Sequence, residues 1–112
     1  MERYVLHDAE PAAAPDILNV EVLHTLRRLA RRWEIETHRL DEAVEDLSVL
    51  RIMRYPTLHL IHRAWELRPN FTAYDAVYVA LAEALGTSLV TADQHLAKAA
   101  RTHTSIEVVA VG

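Results

Sequence analysis

Two stretches in the first half of the chain carry apolar residues at helical spacing. In the first, which begins near Asp16, polar residues and arginines separate the apolar positions Ile17, Val20, Leu23, Leu26 and Leu29. In the second, the apolar positions are Leu40, Ala43, Val44, Leu47 and Leu50. Recurrence every three to four residues predicts an amphipathic helix in each stretch. Thr37 is interpreted as the N-cap of the second helix.

The second half alternates helical patterns with short apolar runs. A third helix is predicted from Thr57 to Leu67, a fourth from Thr72 to its C-terminal glycine Gly86, and a fifth from Gln94 to Ala100. A short strand is predicted at Arg51–Tyr55, where polar and apolar residues alternate, and two more at Ser88–Thr91 and Ile106–Val111, which are mainly apolar.

The first fifteen residues carry a weaker pattern. Val5-Leu6-His7 is predicted to be a short strand or the remnant of one. Asp8 to Pro15 is predicted to be a loop, because Pro11 and Pro15 interrupt regular structure at both ends of an alanine run.

Strands that are apolar throughout and separated by helices predict an α/β fold with a parallel sheet. The length of 112 residues fits one domain that spans residues 1–112. We therefore expect a single α/β domain.

Composition excludes several classes of function. The chain has no cysteine, so disulfides and thiolate metal sites are excluded. Its glycines, Gly86 and Gly112, do not form a glycine-rich phosphate loop. No apolar run approaches the roughly 20 residues that span a bilayer, and no signal-peptide core follows Met1. We expect a cytoplasmic protein that does not associate with membranes.

Positive charge is concentrated in one place. The formal net charge is −4, which argues against a general polyanion-binding protein, yet Arg27, Arg28, Arg31 and Arg32 fall within six residues. Arginine forms forked contacts with phosphate, so this cluster can contact a nucleic-acid backbone. It can equally be a solvated helix face or a surface that pairs with an acidic protein partner.

Three carboxylates in separate segments can converge at one edge of the predicted sheet. Asp93 directly follows a strand, Asp75 lies in the first turn of the fourth helix, and Glu21 lies near the start of the first helix. Ligands of open parallel sheets bind beyond the carboxyl ends of the strands. Because clustered carboxylates repel one another, such a group favours a divalent cation, and oxygen ligands favour Mg²⁺ or Mn²⁺ over zinc.

Each carboxylate also has a purely structural interpretation. Thr72 to Asp75 matches a capping box, in which Asp75 bonds backbone amides. Asp93 can be the N-cap of the fifth helix, and Glu21 can pair with Arg28 on the surface.

Three motifs resemble the acidic site of PIN-domain ribonucleases, especially the VapC-type toxins of bacterial toxin–antitoxin pairs. They are NVEVLHTLRR at Asn19–Arg28, TAYDAVYVALA at Thr72–Ala82 and LVTADQHL at Leu89–Leu96. The similarity runs from about Ala14 to the C-terminus. It implies a PIN-like three-layer α/β fold, with a short central parallel sheet flanked by helices.

The resemblance also implies a function and a site. Glu21, Asp75 and Asp93 correspond to the family's catalytic carboxylates, which bind Mg²⁺ or Mn²⁺, and Thr72 or Thr91 is expected to support them by hydrogen bonds. The implied reaction is hydrolysis of RNA phosphodiesters by an endoribonuclease toxin. The implied partners are an RNA substrate, a cognate antitoxin and a second copy of the chain in a homodimer.

The N-terminal region departs from the family pattern. PIN domains open with a strand that ends in an essential aspartate and is followed by a helix, and Met1 to Pro15 has no segment of this form. We therefore expect an N-terminally truncated PIN-like domain and do not assign the first aspartate to Asp8. This expectation keeps a second hypothesis open, a catalytically inactive PIN-like module that binds a dimer partner or an antitoxin.

Overall fold

The computed structural model of the protein describes residues 3–6, 12–33 and 35–112. Within these ranges the chain forms five strands and five α-helices. In chain order they are β1 (Arg3–Leu6), β2 (Ala13–Pro15), α1 (Ile17–Arg31), α2 (Thr37–Val49), β3 (Met53–Tyr55), α3 (Ile61–Glu66, preceded by a 3-10 turn at Leu58–Leu60), α4 (Ala73–Leu85), β4 (Ser88–Thr91), α5 (Gln94–His103) and β5 (Val108–Ala110).

The strands form one sheet in the order β3-β2-β1-β4-β5. The outer pairs, β2 with β3 and β4 with β5, are parallel, whereas central β1 is antiparallel to both β2 and β4. Four strands therefore run in one direction and β1 runs against them. The predicted α/β class is confirmed, and the sheet is parallel except at its centre.

Central β1 begins at the edge of the sheet where β4 ends. Arg3 is paired with Thr91, and Leu6 is paired with Ser88 at the opposite edge. The strand predicted at Val5-Leu6 is thus present, while His7 and Asp8 lie outside the described residues. Strand β1 therefore occupies the centre of the sheet. Because it is antiparallel to β2 and β4, its carboxyl end lies next to the amino ends of these neighbours.

The prediction of a loop from Asp8 to Pro15 is wrong for its last three residues, because Ala13–Pro15 form β2. All three residues are buried, and they pair with Met53–Tyr55. Proline is tolerated at this strand end, since the next amide, that of Asp16, supplies the hydrogen bond to the Tyr55 carbonyl at 2.8 Å. Short alanine side chains allow the strand to lie close beneath α4, which contacts it.

Helix α4 has more buried residues than any other helix of the described chain. Its side chains at Ala76, Tyr78, Val79, Ala80, Leu81 and Ala82 are buried. It packs against β1, β2 and β4 on the sheet and against α3. The helix begins at its N-cap Thr72 and ends at Gly86, as predicted. An apolar helix that is covered on most sides fixes the position of every side chain that it carries.

Two other helices differ from the prediction. The N-cap of α2 is Glu36 rather than Thr37, and the expected buried stripe of α2 contains one buried residue, Leu40. The third helix divides into the 3-10 turn and α3, and Thr57 makes no side-chain cap bond. Val44 and Leu50 are 41% and 49% exposed, so much of the apolar surface of α2 faces outward.

Two arginines tie the outer helices to the rest of the fold. The Arg54 Nε donates to Asn19 Oδ1 of α1 at 2.7 Å, and its Nη2 donates to the Leu47 carbonyl of α2 at 3.0 Å. Arg63 of α3 forms a forked ion pair with Glu83 of α4. The hydrogen bond to Glu83 raises the pKa of Arg63 further above its usual range. Across the described ranges, no helix is long and apolar enough to cross a membrane.

We predict that Gly86→Ala lowers the free energy of unfolding by about 1 kcal/mol. Gly86 has φ +64°, a left-handed conformation, and a Cβ there would meet no neighbouring atom, so the cost is one of backbone conformation. Urea unfolding measures it. Gly86→Asn is the matched control and should lose less, since asparagine tolerates this conformation. Equal stability of parent and Gly86→Ala would contradict the assignment.

Candidate active site

Glu21 is held by a tyrosine of the buried helix. The carboxylate is half-buried in the second turn of α1, and the Tyr78 hydroxyl donates a hydrogen bond to Glu21 Oε1 at 2.7 Å. Tyr78 has no exposed surface, so its ring cannot swing away from this position. The bond therefore fixes the Glu21 carboxylate relative to α4.

Asp75 lies in the first turn of α4, where a capping threonine orders the backbone. Thr72 is the N-cap, and its Oγ1 accepts a hydrogen bond from the Asp75 amide at 3.1 Å. A negative side chain is stabilised at a helix N-terminus by the helix dipole. Tyr78 follows Asp75 by three residues, which places both side chains on the same face of α4.

These contacts bring Glu21 and Asp75 to one groove. The groove is open, has a volume of about 740 Å³, and is lined by Ile17, Val20, Glu21, His24, Thr25, Thr72, Tyr74 and Asp75. Two of the three predicted site carboxylates thus face a common space between α1 and the start of α4. Its lining mixes apolar and polar side chains, as is usual for a ligand site.

Asp93 occupies a different position. It is the N-cap of α5, and its Oδ1 accepts hydrogen bonds from the amides of His95 and Leu96 at 2.9 and 3.1 Å. Asp93 does not line the groove of Glu21 and Asp75. The N-cap interpretation of Asp93 is confirmed. Because both cap bonds fall on one carboxylate oxygen, capping and metal coordination by the other are chemically compatible.

The described residues do not complete a metal site by themselves. Nowhere in these ranges are three or more His, Cys, Asp or Glu side chains grouped so that they could hold a metal ion. Two carboxylates with only oxygen donors nevertheless suit Mg²⁺, which is commonly held by one or two carboxylates together with water and substrate phosphates. The donor set of Glu21 and Asp75 therefore fits Mg²⁺ or Mn²⁺, and the role of all three carboxylates as ligands stays a prediction.

The two threonines make hydrogen bonds close to the carboxylates, as the resemblance implied. The Oγ1 of Thr72 accepts a hydrogen bond from the Asp75 amide, and the Oγ1 of buried Thr91 accepts one from the Asp93 amide at 3.0 Å. Both bonds order the backbone that carries an acidic side chain. The Thr72 half of the capping box is therefore present, and the bond from the Asp75 carboxylate to a backbone amide stays a prediction.

Sequence reasoning missed the role of Tyr78. Tyr78 lies among the apolar residues of α4, and its ring is buried with them. The hydroxyl, however, donates a hydrogen bond to Glu21. The structural interpretation of Glu21 was instead a surface pair with Arg28. The available signal was the spacing of Tyr78 three residues after Asp75, which points its polar tip toward the same groove. Likewise His24, one turn after Glu21, lines that groove.

Comparison with known families decides the ancestry. A family profile described as "PIN domain" matches residues 2–102. The chain belongs to the PIN domain family. The match begins upstream of Ala14, where the resemblance in the sequence was predicted to start, and it includes the acidic segments of Glu21, Asp75 and Asp93.

Curated relatives place this PIN domain among VapC-type proteins. The chain is 42% identical over 101 residues to ribonuclease VapC9 of Mycobacterium tuberculosis, an alignment that covers 90% of the chain and 80% of that protein. It is 46% identical over 87 residues to ribonuclease VapC1 of the same species, covering 77% and 65%. It is 37% identical over 101 residues to ribonuclease VapC12, covering 90% and 78%. The resemblance to VapC-type toxins is confirmed.

We predict that Asp93→Ala lowers the free energy of unfolding by about 1 kcal/mol, because the amides of His95 and Leu96 lose their acceptor. Thermal or urea unfolding of this PIN domain measures the change. Asp93→Asn is the matched control, since asparagine caps helices equally well, and its stability should stay within a few tenths of a kcal/mol of the parent. An equal loss in both variants would show that the negative charge, rather than the cap, stabilises the fold.

Proposed function

We propose that this PIN domain is a metal-dependent endoribonuclease toxin, which hydrolyses RNA phosphodiesters in the cytoplasm and is neutralised by a cognate antitoxin. The observation that carries the proposal is the shared groove of Glu21 and Asp75. It is supported by relatives whose names are ribonuclease VapC9 and VapC1.

Glu21, Asp75 and Asp93 would hold Mg²⁺ or Mn²⁺. When bound, such a cation supplies the positive charge that lowers the pKa of an attacking water and offsets negative charge on the phosphodiester. The side chains of this site act by orientation. Tyr78 holds Glu21 in one rotamer, and the Thr72 cap holds the backbone of Asp75. Groups fixed before the substrate arrives need no reorganisation during the reaction.

The partners follow from the family and from the exposed apolar surface. On α1, Val20 and Leu23 are 68% and 45% exposed, and both α2 and α3 also present outward-facing apolar residues such as Val49 and Trp65. Helices α1 and α2 contact each other, and exposed apolar residues on neighbouring helices mark protein interaction surfaces. We assign this surface to a homodimer and to an antitoxin, because VapC-type toxins pair with both.

One observation favours a second candidate function, a catalytically inactive module that binds a dimer partner or an antitoxin. Asp93 is engaged as a helix cap and does not line the groove, so two rather than three carboxylates face it among the described residues. In this case the exposed apolar surface of the helices still binds a dimer partner or an antitoxin, and the groove does not bind a cation strongly.

Cleavage of a structured RNA by the purified chain separates the two candidates. We expect cleavage with Mg²⁺ or Mn²⁺, none with EDTA, and a fall in rate of about two orders of magnitude or more in Glu21→Gln and Asp75→Asn. Asp46→Asn, which removes an exposed carboxylate of α2, is the control and should keep the parent rate. A folded chain that shows no metal-dependent cleavage supports the inactive module.

We predict that Tyr78→Phe weakens Mn²⁺ binding about tenfold, because groups that orient a metal ligand contribute on this scale. The substitution keeps the buried ring and removes the hydroxyl that meets Glu21. Calorimetric titration with Mn²⁺ measures the affinity. Tyr55→Phe, which removes a hydroxyl in β3, is the control. Unchanged affinity in Tyr78→Phe would assign the tyrosine to packing alone.

A further inference from the structure

The C-terminal half of α1 carries a positively charged face that the proposed chemistry does not use. Arg27, Arg28 and Arg31 are exposed. Together with His24 and Arg32 they line an open cleft of about 430 Å³. The chain has a net charge of −4, so this is a local excess of charge opposite in sign to that of the whole molecule.

Three of these arginines carry charge that no described residue neutralises. Within the described ranges, Arg27, Arg28 and Arg31 form no ion pair or hydrogen bond, in contrast to Arg54 and Arg63, which are held by several acceptors. Neighbouring arginines repel one another. The C-terminal end of the helix dipole stabilises the charges of Arg28 and Arg31, and it leaves their side chains open to an anion.

The charged face is continuous with the candidate active site. His24 lines both the arginine cleft and the groove of Glu21 and Asp75. The four residues Glu21, His24, Arg28 and Arg31 follow a spacing of three, four and three, which places them on one stripe of α1. At 1.5 Å per residue, Arg31 lies about 15 Å along the helix axis from Glu21.

A polyanion that enters the groove meets two carboxylates on a negatively charged protein. Positive charge along its path favours its binding, and the stripe of α1 supplies such charge next to the groove. Arginine is suited to this task, since its planar guanidinium forms forked hydrogen bonds with phosphate. These arguments favour nucleic acid over an acidic protein, because the arginines lie beside the site where RNA would be cut.

We propose that Arg28 and Arg31, flanked by Arg27, bind backbone phosphates of the RNA strand that crosses the groove. These phosphates are not the one whose bond is cleaved. This inference rests on the proposed function. The arginines act on substrate affinity, independent of base identity, and Glu21 and Asp75 act on cleavage.

Binding in the presence of EDTA tests the inference without cleavage. The probe is a fluorescein-labelled single-stranded RNA, followed by anisotropy between about 50 and 200 mM salt. The variant is Arg28→Gln/Arg31→Gln, and the matched control, Arg51→Gln/Lys98→Gln, removes two exposed charges elsewhere. Loss of two phosphate contacts should reduce the slope of log K against log salt by about 1.4 and weaken binding on the order of tenfold at 0.1 M salt. The control should retain the parent slope.

The outcomes distinguish failure of this inference from failure of the proposed function. A parent that cleaves RNA while Arg28→Gln/Arg31→Gln keeps its affinity and salt slope overturns the inference alone. A parent that binds RNA through these arginines without cleaving it overturns the ribonuclease function alone. If the double variant loses binding to poly-glutamate but keeps binding to RNA, the face belongs to an acidic protein partner, and the inference is overturned.

Discussion

Burial of helix α4 is the constraint on which the rest of the molecule depends. The helix contacts three strands and α3, and its buried side chains include the small ones of Ala76, Ala80 and Ala82. Because it cannot rotate without opening the core, Asp75, which lines the groove, and Tyr78, which is buried behind it against Glu21, have fixed positions. Through Tyr78 the same burial extends to Glu21 on α1. The candidate site is thus ordered by the packing of one helix rather than by a mobile loop.

Charge is arranged along α1 in two zones with opposite effects on a polyanion. Near its start, Glu21 faces Asp75 across the groove, and repulsion between them favours a cation. Near its end, Arg28 and Arg31 attract phosphate. A single rigid helix therefore sets the distance between the place where an RNA strand is held and the place where it would be hydrolysed. The electrostatic attraction of phosphate by these arginines weakens as salt rises, whereas the hydrogen bond between buried Tyr78 and Glu21 does not.

Local chemistry made much of the fold predictable. The Thr72 cap and the C-terminal Gly86 predict helix α4, and a short apolar run predicts β4. The strand at Ala13–Pro15 was missed because proline signals a break, while its pairing with β3 is a tertiary contact that no local pattern encodes. Convergence of Glu21 with Asp75 was predictable from the resemblance. The N-cap role of Asp93 was also predictable, but its absence from the lining of the groove depends on tertiary packing, which spacing alone does not determine.

The central position of β1 has a consequence for the order in which the sheet is assembled. Its partner β4 follows it in the chain only after two strands and four helices, so Arg3 can pair with Thr91 only once those elements have been made. Loop-closure entropy must be overcome across nearly the whole chain before the sheet becomes continuous. On the ribosome, β2 and β3 can pair early, but the two halves of the sheet remain separate until β4 emerges. A nascent chain interrupted before β4 therefore presents an unpaired strand edge, at which chaperones or other chains can bind.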